Sequence, residues 1–249
     1  NPYTGEAIPY TGVEPVEDYV HDYMQPQIEE LVDQYDPDIL WCDGQWEKPA
    51  SYWDMAPVVA DYYNQAKNRE NPKDVVVANR CKTRTGALDS HELDFQTPEY
   101  TVKDDIDPVK WESSRGIAHS YGYNQNEPVE DYLTSDQLVD SLVDIVSKNG
   151  NLLLDVGPKG DGTIPALQQE RLRDIGAWLG VNGEAIYGTS YFNRAEDERS
   201  NVPVRYTVKD GTLYATALEW PGQKLTLGGD LPFDQSTEVK LLGSNGSAL

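Results

Sequence analysis

The sequence predicts an α/β fold in which helices alternate with parallel strands, followed by a smaller all-β region. Short, almost unbroken apolar runs follow amphipathic helical segments, as in parallel strands that are buried on both faces. After about residue 188 the apolar residues recur with a period of two, which is typical of exposed antiparallel strands. Mixed α/β units followed by strands alone indicate two domains, which we place at residues 1–190 and 191–249.

The apolar pattern predicts the elements in order along the chain. In the α/β region it predicts helices at 16–35, disturbed at Pro26, at 51–68, from a cap at Ser135 to a C-terminal glycine at Gly150, and at 164–179. Strands or extended segments are predicted at 39–43, 75–78, 95–100, 117–123 and 151–157. The all-β region is predicted to contain a hairpin of 204–208 and 212–217 around Asp210-Gly211, then strands at 224–227 and 238–242.

Charge and composition exclude several classes of function. The chain has 249 residues, of which 43 are acidic and 20 basic, and the net charge of −23 repels nucleic acid and anionic membranes. We therefore expect neither as a partner. The three histidines, His21, His91 and His119, are scattered without the spacing of metal ligands, so we expect no metal and no cofactor.

The two cysteines, Cys42 and Cys81, lie at or just after the ends of predicted strands. A disulfide between them is one interpretation. Their apolar neighbours favour the other, two buried free thiols.

Asp43 is the first candidate functional residue, because the apolar run 39–42 ends on this carboxylate and Gly44. In parallel α/β folds the chemistry lies at the carboxyl ends of the strands. A cap or a turn formed with Gly44 explains the same pattern, and position alone does not decide between the two. The strand at 75–78 is likewise followed by a charge, Arg80.

Several segments together resemble the α-L-fucosidases of glycoside hydrolase family 29. They occur in order over nearly the whole chain, which makes the resemblance far more specific than any single motif. In this sequence they are YDPDILWCDG (35–44), VVANR (76–80), DFQTPEY (94–100), KWE (110–112), SYGYN (120–124), NGNLLLDVGPKGDG (149–162) and NGEAIYGT (182–189). The resemblance implies the later strands of a (β/α)8-type barrel followed by part of a C-terminal antiparallel β-sandwich.

The resemblance also implies a retaining exo-glycosidase that hydrolyses terminal α-L-fucosyl linkages of an oligosaccharide or glycoconjugate through a covalent fucosyl-enzyme intermediate. Asp43 matches the nucleophile and Glu99 the general acid/base, with Glu112 as the alternative acid/base. A retaining mechanism places the two carboxyl groups only about 5 Å apart. Glu112 could instead form a salt bridge to Arg115.

Three further residues are expected to bind the sugar. Arg80 matches a family arginine that contacts it, and Trp41 and Tyr100 offer aromatic surface to its apolar face, including the fucose methyl group. A structural ion pair for Arg80 and a core position for Trp41 are the alternatives. Trp46 and Asn124 are weaker candidates.

The early strands of the family's barrel, which supply further sugar contacts, have no counterpart in these residues. Three explanations remain open: a fragment of a longer polypeptide, a half-barrel completed by a companion chain or a homo-oligomer, or an open half-barrel that is inactive or only binds sugar. A half-barrel would expose its sheet edges and is a poor monomer. An extracellular or periplasmic location is expected.

Overall fold

The computed structural model of the chain describes residues 16–44, 48–81 and 94–244. The chain divides into two compact units, Asn1–Gln96 and Thr97–Leu249. Within the described residues, no helix is long and apolar enough to cross a membrane.

The first unit consists of helices and short parallel strands. Its elements are a π-helical turn Val20–Met24, α1 Gln25–Tyr35, β1 Ile39–Leu40, α2 Ala50–Trp53, α3 Met55–Asn68, β2 Val76–Val77 and a 3₁₀ turn Asn79–Cys81. The two strands pair in parallel with Ile39 opposite Val76, and Ala78 forms a further parallel bridge to Phe95. Pro26, which lacks an N–H, lies in the first turn of α1, and the π-helical turn precedes it, as the disturbed pattern predicted.

The core of this unit lies on one face of the two strands. Seven buried residues from α1, α3, β2 and the 3₁₀ turn form it, and Leu40 and Cys42 pack against them. Side chains alternate along a strand, so Ile39 of β1 and Val76 of β2 belong to the opposite face. That face is open: Ile39 is 54% and Val76 36% exposed. The buried residues are Val32, Met55, Val58, Val59, Tyr62, Val77 and Cys81.

The second unit combines a parallel pair of strands with an antiparallel sheet. Its elements are β3 Trp111–Gly116, a 3₁₀ turn Val129–Asp131, α4 Ser135–Ser147, β4 Gly150–Asp155, α5 Ala166–Asn182, a 3₁₀ turn Gly183–Ala185, β5 Ser190–Glu196, β6 Val204–Lys209 and β7 Thr212–Ala217. Strands β3 and β4 pair in parallel, and Glu99 forms a parallel bridge to Ser114 of β3. Strands β5, β6 and β7 follow one another in an antiparallel sheet. The predicted order of parallel units followed by antiparallel strands is therefore observed.

Both ends of α4 differ from the prediction. Thr134 rather than Ser135 is the N-cap, and it forms a capping box in which the side chains of Thr134 and Gln137 each accept from the other's backbone N–H. At the other end Asn149 takes the left-handed conformation expected of Gly150, with φ of 71°. Gly150 instead begins β4, where an added Cβ would lie 2.6 Å from the Trp111 ring. This glycine is needed for close packing.

Three strand predictions were wrong in position or existence. The strand predicted at 117–123 is absent, and the observed strand β3 lies just before it, at Trp111–Gly116. The hydropathy pattern missed β3 because Ser113 and Ser114 are polar residues that are buried. The Ser113 hydroxyl donates to the Thr101 carbonyl at 2.8 Å, which satisfies its polarity. Residues 224–227 and 238–242 are not strands. In the segment 224–227, the Thr226 N–H donates instead to the side chain of Asn201 at 2.7 Å.

A group of charges joins α4 to the antiparallel sheet. Asp144 accepts from Lys148 at 3.0 Å and from Nε of Arg205 on β6. Glu196 on β5 lies 2.9 Å from Arg205. Lys148 and Arg205 have side chains only 6% and 14% exposed, so two cations and their shared carboxylate are largely removed from water. The helix that packs on β4 is thus also fixed to β5 and β6.

A shallow cleft of about 260 Å³ lies between α4, α5 and β7 and contains Asp140. Burial, together with the charge of Asp136, raises the pKa of Asp140 to about 6; Arg205 opposes this shift, and Glu219 and Asp144 add to it. For an acid, a raised pKa in the folded state means that the ionised form is destabilising there. Its stability penalty is therefore absent well below pH 4, grows as the pH rises, and is complete above about pH 6.

Asp140→Asn is accordingly expected to stabilise the protein at pH 8, because it removes the partly buried charge. After allowance for solvent screening the gain should be about 1 kcal/mol, or about 2–4 °C in Tm. Thermal unfolding followed by circular dichroism between pH 4 and pH 8 measures it, and the gain should shrink as the pH falls. Asp61→Asn, at an exposed position of α3, is the control and should give no gain, because Asp61 is not among the charges that act on Asp140. A pH-independent effect of Asp140→Asn would contradict the assignment.

Candidate active site

Asp43 and Arg80 form an ion pair at the carboxyl ends of β1 and β2. Asp43 follows β1 and precedes Gly44, whose φ of 84° favours glycine. Arg80 lies in the 3₁₀ turn after β2, and its Nη1 donates to Oδ1 of Asp43 at 3.0 Å. The arginine side chain is 6% exposed and the aspartate side chain 56% exposed. A buried cation therefore holds one oxygen of an accessible carboxylate.

Trp41 completes this first group. The Arg80 guanidinium lies 4.9 Å from the centre of the Trp41 ring, which is the geometry of a cation–π contact. Arg80 is thus fixed by a carboxylate and by an aromatic ring. Arg80 is therefore placed to hold Asp43. Its burial limits direct contact with a ligand.

The two cysteines are joined in a disulfide, so the favoured interpretation of free thiols was wrong. The Cα atoms of Cys42 and Cys81 lie 4.9 Å apart. The apolar neighbours of the two cysteines reflect the helix-facing core, to which both sulfurs belong. They gave no information on pairing, which depends on the strands β1 and β2 being adjacent. The 3₁₀ turn at Asn79–Cys81 brings Cys81 back toward β1, where its sulfur lies 3.8 Å from the Leu40 carbonyl.

Glu99 and Tyr100 form a second group, in the second unit. The backbone of this segment pairs with β3: Tyr100 N–H donates to the Ser114 carbonyl at 2.9 Å and Ser114 N–H to the Pro98 carbonyl at 3.0 Å. Glu99 is exposed. Tyr100 has φ of 49°, a conformation that a non-glycine residue keeps only when its surroundings hold it.

The side chain of Tyr100 shows what holds it there. Its hydroxyl donates to the His119 carbonyl at 3.0 Å and accepts from the Gly116 N–H at 3.1 Å. The ring meets Tyr121 edge to face at 5.1 Å, and the Arg115 guanidinium lies 5.4 Å from its centre. These contacts fix the backbone next to Glu99.

Glu112, the alternative acid/base, lies on β3 near its amino end, opposite Asn151 of β4. Its side chain is half-buried. Glu99 is level with Ser114, two residues closer to the carboxyl end of the same strand. The strand-end rule therefore favours Glu99 over Glu112.

Three residues of the second unit escaped the sequence analysis as site candidates. Arg115 and Tyr121 enclose the Tyr100 ring, and no sequence pattern signalled this contact. Asp155 ends β4, and burial raises the pKa of its carboxyl while the Val156 N–H lowers it. The strand-end rule that selected Asp43 would also have selected Asp155.

Asn124, one of the weaker candidates, has no comparable setting. Asn124 is exposed, and its side chain donates to the Ser120 hydroxyl at 3.3 Å. Trp46 lies outside the described residues. Among the residues that the structure describes, no cluster of three His, Cys, Asp or Glu side chains could hold a metal ion.

Comparison with known proteins decides the family. The sequence profile of the family described as Alpha-L-fucosidase matches residues 3–184. The chain belongs to the α-L-fucosidase family. The matched range of this fucosidase family contains Asp43, Arg80, Glu99 and Tyr100 and ends just before β5.

The curated relatives are longer than this chain. Tissue alpha-L-fucosidase of Rattus norvegicus is 34% identical over 235 residues, which are 92% of this chain and 48% of the relative. Alpha-L-fucosidase of Branchiostoma floridae is 38% identical over 235 residues, 91% of this chain and 49% of the relative. The chain spans about half the length of the curated relatives that it matches.

Solved structures of fucosidases share the fold over most of the chain. The alpha-fucosidase of Thermotoga maritima in complex with a mechanism-based inhibitor is 42% identical, with a TM-score of 0.66 over 80% of this chain and 43% of that one. An alpha-L-fucosidase isoenzyme from Paenibacillus thiaminolyticus is 30% identical, with a TM-score of 0.64 over 82% of this chain and 48% of that one. The chain therefore has the fold of part of these fucosidases.

Proposed function

We propose that this chain carries the catalytic carboxylates of a retaining α-L-fucosidase, which removes terminal α-L-fucose from an oligosaccharide or glycoconjugate. The observation that carries the proposal is the Asp43–Arg80 pair, an accessible carboxylate held at a strand end by a buried arginine in a chain of this family. A structural cap needs no such arginine.

In the proposed first step Asp43 attacks the anomeric carbon of fucose. Oδ1 accepts the hydrogen bond from Arg80, so we assign the attack to Oδ2. The bond from Oδ2 to the anomeric carbon forms as the bond to the leaving oxygen breaks, and Glu99 donates its proton to that oxygen. In the second step Glu99 takes a proton from water, whose oxygen displaces Asp43 and releases fucose.

The aromatic residues have binding roles in this proposal. Tyr100 presents a ring that is already fixed by Arg115 and Tyr121, so little conformational entropy is lost when a sugar packs on it. Trp41 binds the sugar through the part of its ring that Arg80 leaves accessible. Arg80 acts chiefly on Asp43 because it is buried.

We further propose that residues 1–190 form the later part of a (β/α)8 barrel, to which the parallel strands belong. Residues 191–249 are proposed to form part of a β-sandwich. Strands from another polypeptide segment, in a companion chain or a longer polypeptide, would complete the barrel. The exposed apolar side chains of Ile39 and Val76 in the first unit and of Leu153 in the second support this, since inward-facing barrel residues need a cover. The chain also spans only about half the length of its curated relatives, which supports the same proposal.

The alternative from the sequence analysis is a half-barrel that binds fucosylated sugars without hydrolysing them. Release of aryl alcohol from an aryl α-L-fucoside separates the two. Turnover with retention of the anomeric configuration, observed by proton NMR in the first minutes, supports the fucosidase. Binding of fucose by calorimetry with no turnover supports the second candidate.

Glu99→Gln is expected to lower kcat for an aryl fucoside with a poor leaving group by about 10²–10⁴-fold, because the leaving oxygen is no longer protonated. A fucoside with a nitrated, acidic leaving group should lose much less in kcat/KM, which reports the first step, whereas its kcat falls because the second step lacks its base. Azide should restore turnover of that substrate and give a fucosyl azide of retained configuration, detectable by NMR.

Glu112→Gln is the matched control and should lower kcat by less than about threefold, since a residue outside the proton transfer contributes little to it. The reverse pattern, a large loss with azide rescue in Glu112→Gln and a small loss in Glu99→Gln, would transfer the acid/base role to Glu112.

We propose an extracellular or periplasmic location. The disulfide between Cys42 and Cys81 supports it, because structural disulfides form and persist in oxidising compartments and are rare in the cytosol.

A further inference from the structure

The disulfide is adjacent in sequence to both members of the Asp43–Arg80 pair. Cys42 immediately precedes Asp43, and Cys81 immediately follows Arg80. The bond therefore links the two backbone segments at the point where the proposed nucleophile and its arginine leave them.

Backbone pairing of the two strands ends before that point. The hydrogen bonds between them extend to the bond from Ala78 N–H to the Leu40 carbonyl, 2.9 Å long. Asp43 lies on the irregular segment after β1, and Arg80 lies in a 3₁₀ turn. The ladder that aligns β1 with β2 does not itself fix the spacing of the two side chains.

The disulfide is anchored in the core, whereas Asp43 is accessible. Cys81 is 1% exposed and belongs to the core formed with α1 and α3, and Cys42 packs against that core. Asp43 follows Cys42 directly, and its side chain is 56% exposed. The covalent link thus connects a rigid core to an accessible carboxylate.

We propose that the Cys42–Cys81 disulfide is a positioning element for the Asp43–Arg80 pair. It sets the distance between the two backbone segments so that Arg80 Nη1 reaches Asp43 Oδ1. This assignment rests on the proposed function for its catalytic consequence, whereas the coupling between disulfide and ion pair is independent of activity.

A disulfide that only stabilises the fold would act by restricting the unfolded chain. Its removal would then lower Tm equally whether or not the ion pair is present. A positioning disulfide makes a different prediction, because removing it weakens the ion pair and the two effects become non-additive.

The test is a double-mutant cycle on thermal unfolding with four proteins: the native chain, Cys42→Ala/Cys81→Ala, Asp43→Ala, and the triple variant. Asp43→Ala should lower Tm by about 4 °C with the disulfide present and by less than about 2 °C without it. Equal Tm losses in the two backgrounds would overturn the proposal. Val143→Ala, from the separate core of the second unit, replaces Asp43→Ala in a control cycle and should give additive losses.

The activity measurement adds a readout that general destabilisation does not move. At a temperature well below every Tm, loss of the disulfide should lower kcat for an aryl fucoside about 10–100-fold and change KM less than about threefold, because the misplaced group acts in the transition state. A phosphine reductant should reproduce this in the native chain and have no effect on Cys42→Ala/Cys81→Ala. An unchanged kcat would also overturn the proposal. Absence of turnover when the chain is supplied with the segment that completes its barrel refutes the proposed function, and the thermal cycle still decides the coupling.

Discussion

Asp43→Ala is expected to lower kcat/KM for an aryl α-L-fucoside by roughly 10³–10⁶-fold, the range found when a nucleophile is removed from an enzyme that forms a covalent intermediate. The alanine variant cannot form the bond to the anomeric carbon. Azide should partly restore turnover by entering the vacated space, and the product should be a fucosyl azide of inverted configuration. Initial rates and NMR of the product measure both effects.

Asp38→Ala is the matched control for this variant. Asp38 immediately precedes β1 and pairs with Lys73 at 2.7 Å, so it is a carboxylate in an ion pair at the other end of the same strand. Its replacement should leave kcat/KM within about twofold, since an exposed pair contributes little. Equal rates for the native chain and Asp43→Ala would remove Asp43 from the mechanism.

The Asp43 variant also has a structural cost that must be separated from the chemistry. Arg80 is buried and loses the carboxylate that accepts from its Nη1. A buried group that loses its partner bears a desolvation penalty. Circular dichroism and Tm should therefore accompany the kinetics, and rates should be compared at a temperature at which both proteins are folded.

Asp144→Ala is expected to have the largest effect on stability, a loss of about 3 kcal/mol in the free energy of unfolding. The carboxylate is shared by Lys148 and Arg205, both with side chains mostly removed from water. This value is at the lower end of the range for breaking a buried ion pair, because Glu196 also lies beside Arg205 and remains as its partner. Urea unfolding followed by fluorescence measures it through a lower midpoint.

Glu170→Ala provides the comparison for Asp144. Glu170 pairs with Arg171 at 2.9 Å but is 61% exposed, so its removal should change the free energy of unfolding by less than about 0.5 kcal/mol. A loss below about 1 kcal/mol in Asp144→Ala would mean that the buried cations find other partners.

The order of helices and strands was predictable because apolar periodicity records which face of each element is buried. It failed at β3, where Ser113 and Ser114 look polar in sequence although both are buried, and where the Ser113 hydroxyl donates to a carbonyl. It also predicted strands at 224–227 and 238–242, where short apolar alternations occur without a strand. Periodicity reports burial, and backbone pairing can be present or absent at the same hydropathy.

The candidate site was predictable to the extent that it follows strand ends. Asp43 and Arg80 were both selected by that rule, and the structure joins them in one ion pair. The resemblance supplied Glu99 and Tyr100, whose roles remain predictions. The positive φ of Tyr100 and its contact with Arg115 depend on residues brought together by the fold, so no local pattern could indicate them.

The charges at α4 limit how this protein can be rearranged. The helix packs on β4 and is also tied to β5 and β6 through Asp144, Lys148 and Arg205. The antiparallel sheet is therefore not an independent module that can be exchanged for another. A replacement sheet would have to supply a cation where Arg205 stands, or Asp144 would keep Lys148 as its partner and lose the contact to the sheet.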